Sequence, residues 1–167
     1  ENALAESLSI SEDGLTYTIT LKDGLKFQDG TDVLASDIVF TYETLLNPLY
    51  SGRYRYSVVR LDQITEIDSK TVALKFTSKA MENLQALVVP VLSKNYYQFA
   101  MWSVFEDGYK PPMGTGPFIF DTYANDESIV LIKNASYWNQ NPSITGIIIK
   151  EMDETESIQA FKDGSID

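Results

Sequence analysis

The groups in this sequence that could do chemistry are its carboxylates, one run of interleaved arginine and tyrosine, and two short motifs centred on glycine and asparagine. Histidine and cysteine are absent from all 167 residues. That removes zinc and copper sites, thiol nucleophiles and every histidine-based triad. Acid–base work needs a carboxylate in an apolar setting that raises its pKa. Asp62 and Asp68 instead flank a β-like segment, and Asp153, Glu154 and Glu156 open a helix, where acidic residues complement the helix dipole. A calcium loop needs alternating oxygen ligands around a central glycine, and no Asp-Gly pair here has that spacing. Gly114-Thr115-Gly116 lacks the Lys-Ser/Thr of a phosphate loop, and Pro117 follows it, so it reads as a turn. Asn134-Ala135-Ser136 matches the glycosylation triplet, a pattern common by chance.

Arg53-Tyr54-Arg55-Tyr56 interleaves base and aromatic, as a stacking platform for single-stranded nucleic acid would. Against a net charge of −11, with 24 acidic and 13 basic residues, phosphate binding is disfavoured. No nucleic-acid partner is expected, and no anionic membrane surface. The run then reads as a solvated face or as tyrosines lining a ligand cleft. The residues form no catalytic constellation and no metal site, so the expectation is a protein that is not an enzyme and carries no cofactor.

The elements that must position these groups are marked by five Asp-Gly pairs, at 13–14, 23–24, 29–30, 107–108 and 163–164. Asp bonds locally to the backbone and Gly accepts positive φ, so each pair predicts a tight turn. Asp13-Gly14 joins two strands, Leu8–Ser11 and Leu15–Lys22. In the second, Leu15, Tyr17, Ile19 and Leu21 share one face, the pattern of a half-buried strand. Ser36 is the expected N-cap of a helix carrying Ile38, Tyr42 and Leu45 on one face, stopped by Asn47-Pro48. Thr71–Thr77 reads as a strand and Met81–Val89 as a helix up to Pro90. Phe118–Tyr123 and Ser128–Lys133 read as a hairpin through Ala124-Asn125-Asp126-Glu127. Ile144–Glu151 reads as a strand and Glu154–Lys162 as a helix ended by Asp163-Gly164. No apolar run reaches the ~18 residues of a membrane-spanning helix. Strands and helices mix without βαβ regularity, which predicts an α+β fold, with the best internal boundary at Glu106–Met113.

These motifs, taken in order, resemble the extracytoplasmic solute-binding proteins of the peptide and nickel ABC transporters, the family of oligopeptide- and dipeptide-binding proteins. The residues that carry the resemblance begin with Leu4-Ala5-Glu6-Ser7 and Ser11-Glu12-Asp13-Gly14-Leu15-Thr16-Tyr17. Leu21 to Phe27, Asp29-Gly30-Thr31 and Ala35 to Phe40 follow. Gly114 to Phe118, Asn134-x-x-Tyr137-Trp138 and Phe161 to Asp167 complete the set. Gln28 departs from it, where the family often has His or Ser, and so does Leu8, where Trp is common.

The resemblance implies two lobes that close on a ligand by hinge motion, of which this chain is an internal fragment of the first, a mixed-sheet piece. Residues 1–112 would be the smaller subdomain of that lobe and 113–167 the returning part of its main subdomain, with the second lobe absent. It implies capture of peptides or a related small solute outside the membrane and delivery to permease subunits. The intact protein would be periplasmic or at the cell surface, and lipid-anchored. Alternatives are a stand-alone structural or adhesion domain on the same scaffold, or a receptor for nickel chelates, sugars or opine-like solutes. A tyrosine shortly after the helix-ending Asn-Pro reaches the cleft in oligopeptide binders, which nominates Tyr54, with Tyr50 as its neighbour. Val88–Val91 is apolar where the nickel relative carries a cleft arginine, so a metal-chelate anchor by that route is not expected. Glycines 114 and 116 are expected to permit a sharp turn, and Tyr137-Trp138 to pack at a domain seam. Strands cut off from their neighbours would leave open edges, through which the fragment would self-associate.

Overall fold

The computed structural model describes residues 3–99, 111–124 and 128–167. Two antiparallel sheets organise them. The first holds β1 (Ala5–Ile10), β2 (Thr16–Leu21), β3 (Leu61–Asp68) and β4 (Thr71–Phe76) in the order β1-β2-β4-β3. The second holds β5 (Phe118–Ala124), β6 (Ser128–Lys133) and β7 (Gly146–Lys150) in sequence order. The expected hairpins at 13–14 and 124–128 are both present, and so is the α+β mixture. The middle of the second turn, and Asp107-Gly108 with most of the Glu106–Met113 boundary, lie outside the described residues.

Alternation sets the first sheet's buried face. Tyr17, Ile19 and Leu21 of β2 lie opposite Leu74 and Val72 of β4, with Tyr17 meeting the edge of Phe76 at 5.0 Å between ring centroids. Helix α1 (Ala35–Leu46) covers that face with Ile38, Tyr42 and Leu45. The connection between β2 and α1 adds Leu25, Phe27 and Val33 to the same core. Asp29-Gly30 tightens this connection: Asp29 Oδ1 accepts from Thr31 N at 2.9 Å, and the Lys26–Asp32 ion pair closes its base at 2.7 Å.

One expectation needs correction and two are sharpened. The N-cap of α1 is Leu34, not Ser36. Ala35 N already donates to Ser69 O at 2.9 Å and the Asp37 carboxylate reaches back to Leu34 N, so the helix begins two residues earlier. Met81–Leu87 is helical as expected but wound as a 3-10 stretch, and the Asn83 side-chain amide donates to Ser78 O at 2.9 Å. Leu61–Asp68, read only as β-like, is a full strand. Its outward residues are polar except for Ile67, which breaks the period-2 pattern, so the alternation carries little apolar signal. Two short pieces had no sequence signal: a 3-10 stretch at Arg53–Val58 and α2 (Lys94–Tyr97), whose N-cap Ser93 accepts from Tyr96 N. The last element, α3 (Glu154–Asp163), is capped as expected. Asp153 Oδ1 accepts from Glu156 N at 2.8 Å, and Gly164 takes a left-handed φ of 75° at its end.

Candidate ligand-binding site

One face of α1 holds a long irregular segment in place. Asp37 Oδ1 accepts from Lys94 N at 2.7 Å, Thr41 Oγ1 accepts from Leu92 N at 2.9 Å, and Tyr42 Oη donates to Ala86 O at 2.7 Å. The spacing 37, 41, 42 places the three on neighbouring turns. Their partners fall between residues 86 and 94, where much of the backbone lacks regular pairing and needs side chains to satisfy it. Burial of Tyr42 pushes its phenol well above the ordinary tyrosine range, so it stays a donor at any physiological pH. The sequence pattern placed Tyr42 in the core but concealed the bond it makes there. Asp37 read only as a dipole complement.

Between this tethered segment, α1 and strands β1 and β2 of the first sheet lies a cavity of about 470 Å³. Leu8, Ile19, Ile38, Tyr54, Leu87 and Val91 are among its walls. The hydroxyls of Thr41 and Tyr42 both donate to backbone carbonyls, and apart from Tyr54 the other wall side chains are aliphatic, so the interior presents mostly carbon. A zwitterion would be stripped of water here without replacement bonds.

The two nominated tyrosines part company. Tyr54 lines the cavity, packs against the core and accepts a hydrogen bond from Arg53. Tyr50 also packs against the core but is not part of the cavity wall. Its ring lies over Gly52, where an added Cβ would come within 2.3 Å of the Tyr50 oxygen. Arg55 holds this turn by donating to Asn47 O at 2.8 Å and Tyr50 O at 3.1 Å.

The two sheets are joined through Gln28. Its side chain donates to Phe118 O at 2.6 Å and accepts from Gly114 N at 3.1 Å, while Gln28 N donates to Gly114 O at 3.0 Å. Trp138 packs on the first core, donates to Thr115 O at 3.0 Å and carries Lys22 over its ring at 5.3 Å. Trp138 thus buries aromatic area where the first core meets the 114–118 turn. The reason given for the glycines does not hold. Neither Gly114 nor Gly116 has a positive φ, and a Cβ on either would meet nothing within 4 Å. The turn is held instead by Gln28, Trp138 and Asn134, whose Nδ2 donates to Gly116 O at 3.1 Å. Asn134 is only 2% exposed, which makes the glycosylation triplet a structural turn.

The displaced carboxylates are all lowered. Ser11 and Leu15 donate to Asp13, Lys70 pairs with Asp23, the Lys70 backbone donates to Asp68, and the Ser165 hydroxyl and backbone donate to Asp163. These are turn-stabilising anions rather than proton donors held ready for catalysis. No group of three or more acidic side chains converges as a metal site among the described residues. Nor does any described helix have the length and apolarity to cross a membrane.

Comparison with known proteins places the chain. The family model of the bacterial extracellular solute-binding proteins, family 5 (middle part), matches residues 1–167. The glutathione-binding protein GsiB of Escherichia coli O1:K1 is 35% identical over 146 residues, covering 83% of this chain and 27% of that protein. Among solved structures, the oligopeptide-binding protein AppA of Bacillus subtilis, in complex with a nonapeptide, superposes with a TM-score of 0.87 and 26% identity. It covers 98% of this chain and 34% of AppA. NikZ of Campylobacter jejuni, in complex with Ni(L-His), gives a TM-score of 0.86 at 25% identity over 99% of this chain. The chain thus spans about a quarter of the length of the curated relatives it matches.

Proposed function

The chain belongs to the bacterial extracellular solute-binding proteins, family 5, and on that premise we propose that it is part of the substrate-binding component of an ABC transporter. That receptor captures peptides or a related small solute outside the membrane and delivers them to permease subunits. Its work is differential affinity between open and closed states rather than catalysis. The observation that carries this reading is the superposition on nonapeptide-bound AppA, which extends over 98% of the chain. Similarity to a glutathione-binding protein supports a small peptide-like ligand as well.

Within this reading, residues 1–112 form the smaller subdomain of the first lobe and 113–167 the returning part of the larger, with Gln28 and Trp138 at their junction. Tyr54 contributes to the ligand cleft, and Tyr50 braces the turn that carries it. The intact protein is lipid-anchored on the outer side of the membrane. The isolated chain self-associates through β7, which among the described residues pairs on one side only and exposes Ile148 at 63% and Ile149 at 50%. Native mass spectrometry of the intact protein tests the ligand class: a peptide-mass adduct supports the proposal, and an adduct of nickel chelate or sugar mass overturns it.

A further inference from the structure

Every arginine of this acidic chain falls in one short stretch, at positions 53, 55 and 60. Two are engaged: Arg55 by the carbonyls of Asn47 and Tyr50, and Arg60 by Glu82 at 4.0 Å. Arg53 differs. It is exposed, and among the described residues no carboxylate lies within ion-pair distance of it. Its guanidinium lies 4.6 Å from the Tyr54 ring centroid and donates to the Tyr54 hydroxyl. Tyr54 is also a wall of the apolar cavity. A positive group without an acidic partner is therefore fixed beside a cavity whose volume suits a small ligand.

We propose that Arg53 and Tyr54 form the anion-reading rim of this cavity, which takes an aliphatic or aromatic side chain whose neighbouring carboxylate binds the Arg53 guanidinium. The inference rests on the solute-receptor reading and names the chemistry of its ligand. The hydroxyl protons of Thr41 and Tyr42 are both spent on backbone carbonyls, so neither side chain has a donor to offer a charged group, and the ligand's charge stays at the rim beside Tyr54. Stacking on Tyr54 limits the freedom of the guanidinium, and its planar fork matches a carboxylate in two parallel hydrogen bonds. An amide of the same shape presents only one acceptor and no charge.

Calorimetric titration of the intact protein with N-acetyl-L-leucine and N-acetyl-L-leucinamide tests this, since the two differ chiefly in charge. Gly-Gly-Leu and its C-terminal amide repeat the comparison for a peptide source. The acids should bind about 10-fold tighter than the amides. R53Q, a change at an exposed position, should bring each acid and its amide within about twofold. L8W, which narrows the cavity, should weaken acid and amide together by about 10-fold. Equal binding of acid and amide by the wild type overturns the proposal, as does an acid preference that survives R53Q. If peptides bind but acid and amide are not distinguished, the inference fails while the receptor reading stands. If only the acetylated acid binds and no peptide does, the rim is supported and the peptide reading falls.

Discussion

The carboxylate of Asp37 accepts the backbone N–H of Lys94, 57 residues further along the chain, at 2.7 Å, and its second oxygen accepts Leu34 N at 2.9 Å. One 6%-exposed side chain thereby starts α1 and anchors the end of the segment that walls the cavity. Hydrogen bonds to a buried charge are worth more than neutral ones, about 1.5–3 kcal/mol each. D37A should therefore destabilise the chain by about 3 kcal/mol. D37N, which keeps one acceptor and turns a donor on the other N–H, should cost about 2 kcal/mol. Urea unfolding midpoints at constant m-value measure both. A D37A cost below that of an ordinary surface change would show that the contact does not hold the segment.

Gln28 should couple the two sheets. Q28A removes its bonds to Phe118 O and Gly114 N but leaves each sheet's own ladder intact. Amide exchange at Gly114 should accelerate by about 10-fold or more, while Val72 and Leu74 in the first sheet keep their protection. Uniform acceleration of both would show global destabilisation instead of local uncoupling.

Stability should depend on pH at the acid end and not near neutrality. Asp13, Asp23, Asp68 and Asp163 all have folded pKa values below the ordinary 3.8. A depressed carboxylate stabilises the fold above its unfolded pKa, and that contribution is lost as pH falls through the folded value. With no histidine to titrate, the melting temperature should stay nearly level from about pH 6 to 8 and fall below about pH 4. D13N should shrink the acid-side fall. Lys70, raised by its pairing with Asp23, works the other way, losing its contribution as pH rises past 10.5. A fall centred near pH 6.5 would contradict this assignment.

Asn134 should behave as a turn residue. In a glycosylating host the intact protein should carry no glycan at this position. N134A should cost about 1–2 kcal/mol through loss of the bonds to Gly116 O and Ser136 N. Glycosidase treatment that shifts the mass of a folded, secreted form would refute the buried placement.

What could be read beforehand follows from how local each signal is. Asp13-Gly14, Asp23-Gly24, Asp29-Gly30 and Asp163-Gly164 all place glycine at positive φ, because turn chemistry acts within a few residues. The β2 face and the Ile38–Tyr42–Leu45 stripe followed from periodicity alone. Asp37, Thr41 and Gln28 were misjudged or passed over because their partners lie 57, 51 and 86 residues away in the chain. Only the folded arrangement brings such groups together. Gly114 and Gly116 carried a family pattern whose physical reason, in this chain, lies in the side chains around them. Tyr54 was nominated by resemblance, and the cavity beside it could not be seen in any spacing.

The central claim is that this chain is one wall of a receptor that closes on a peptide-like solute. Isothermal titration of the intact protein and of the 167-residue chain with the same set of di- to nonapeptides tests it most directly. The intact protein should bind at least one of them with an affinity at least about 100-fold above the chain alone, a gap of about 2.7 kcal/mol. Comparable affinity of the two, or no peptide binding by the intact protein, would contradict the account.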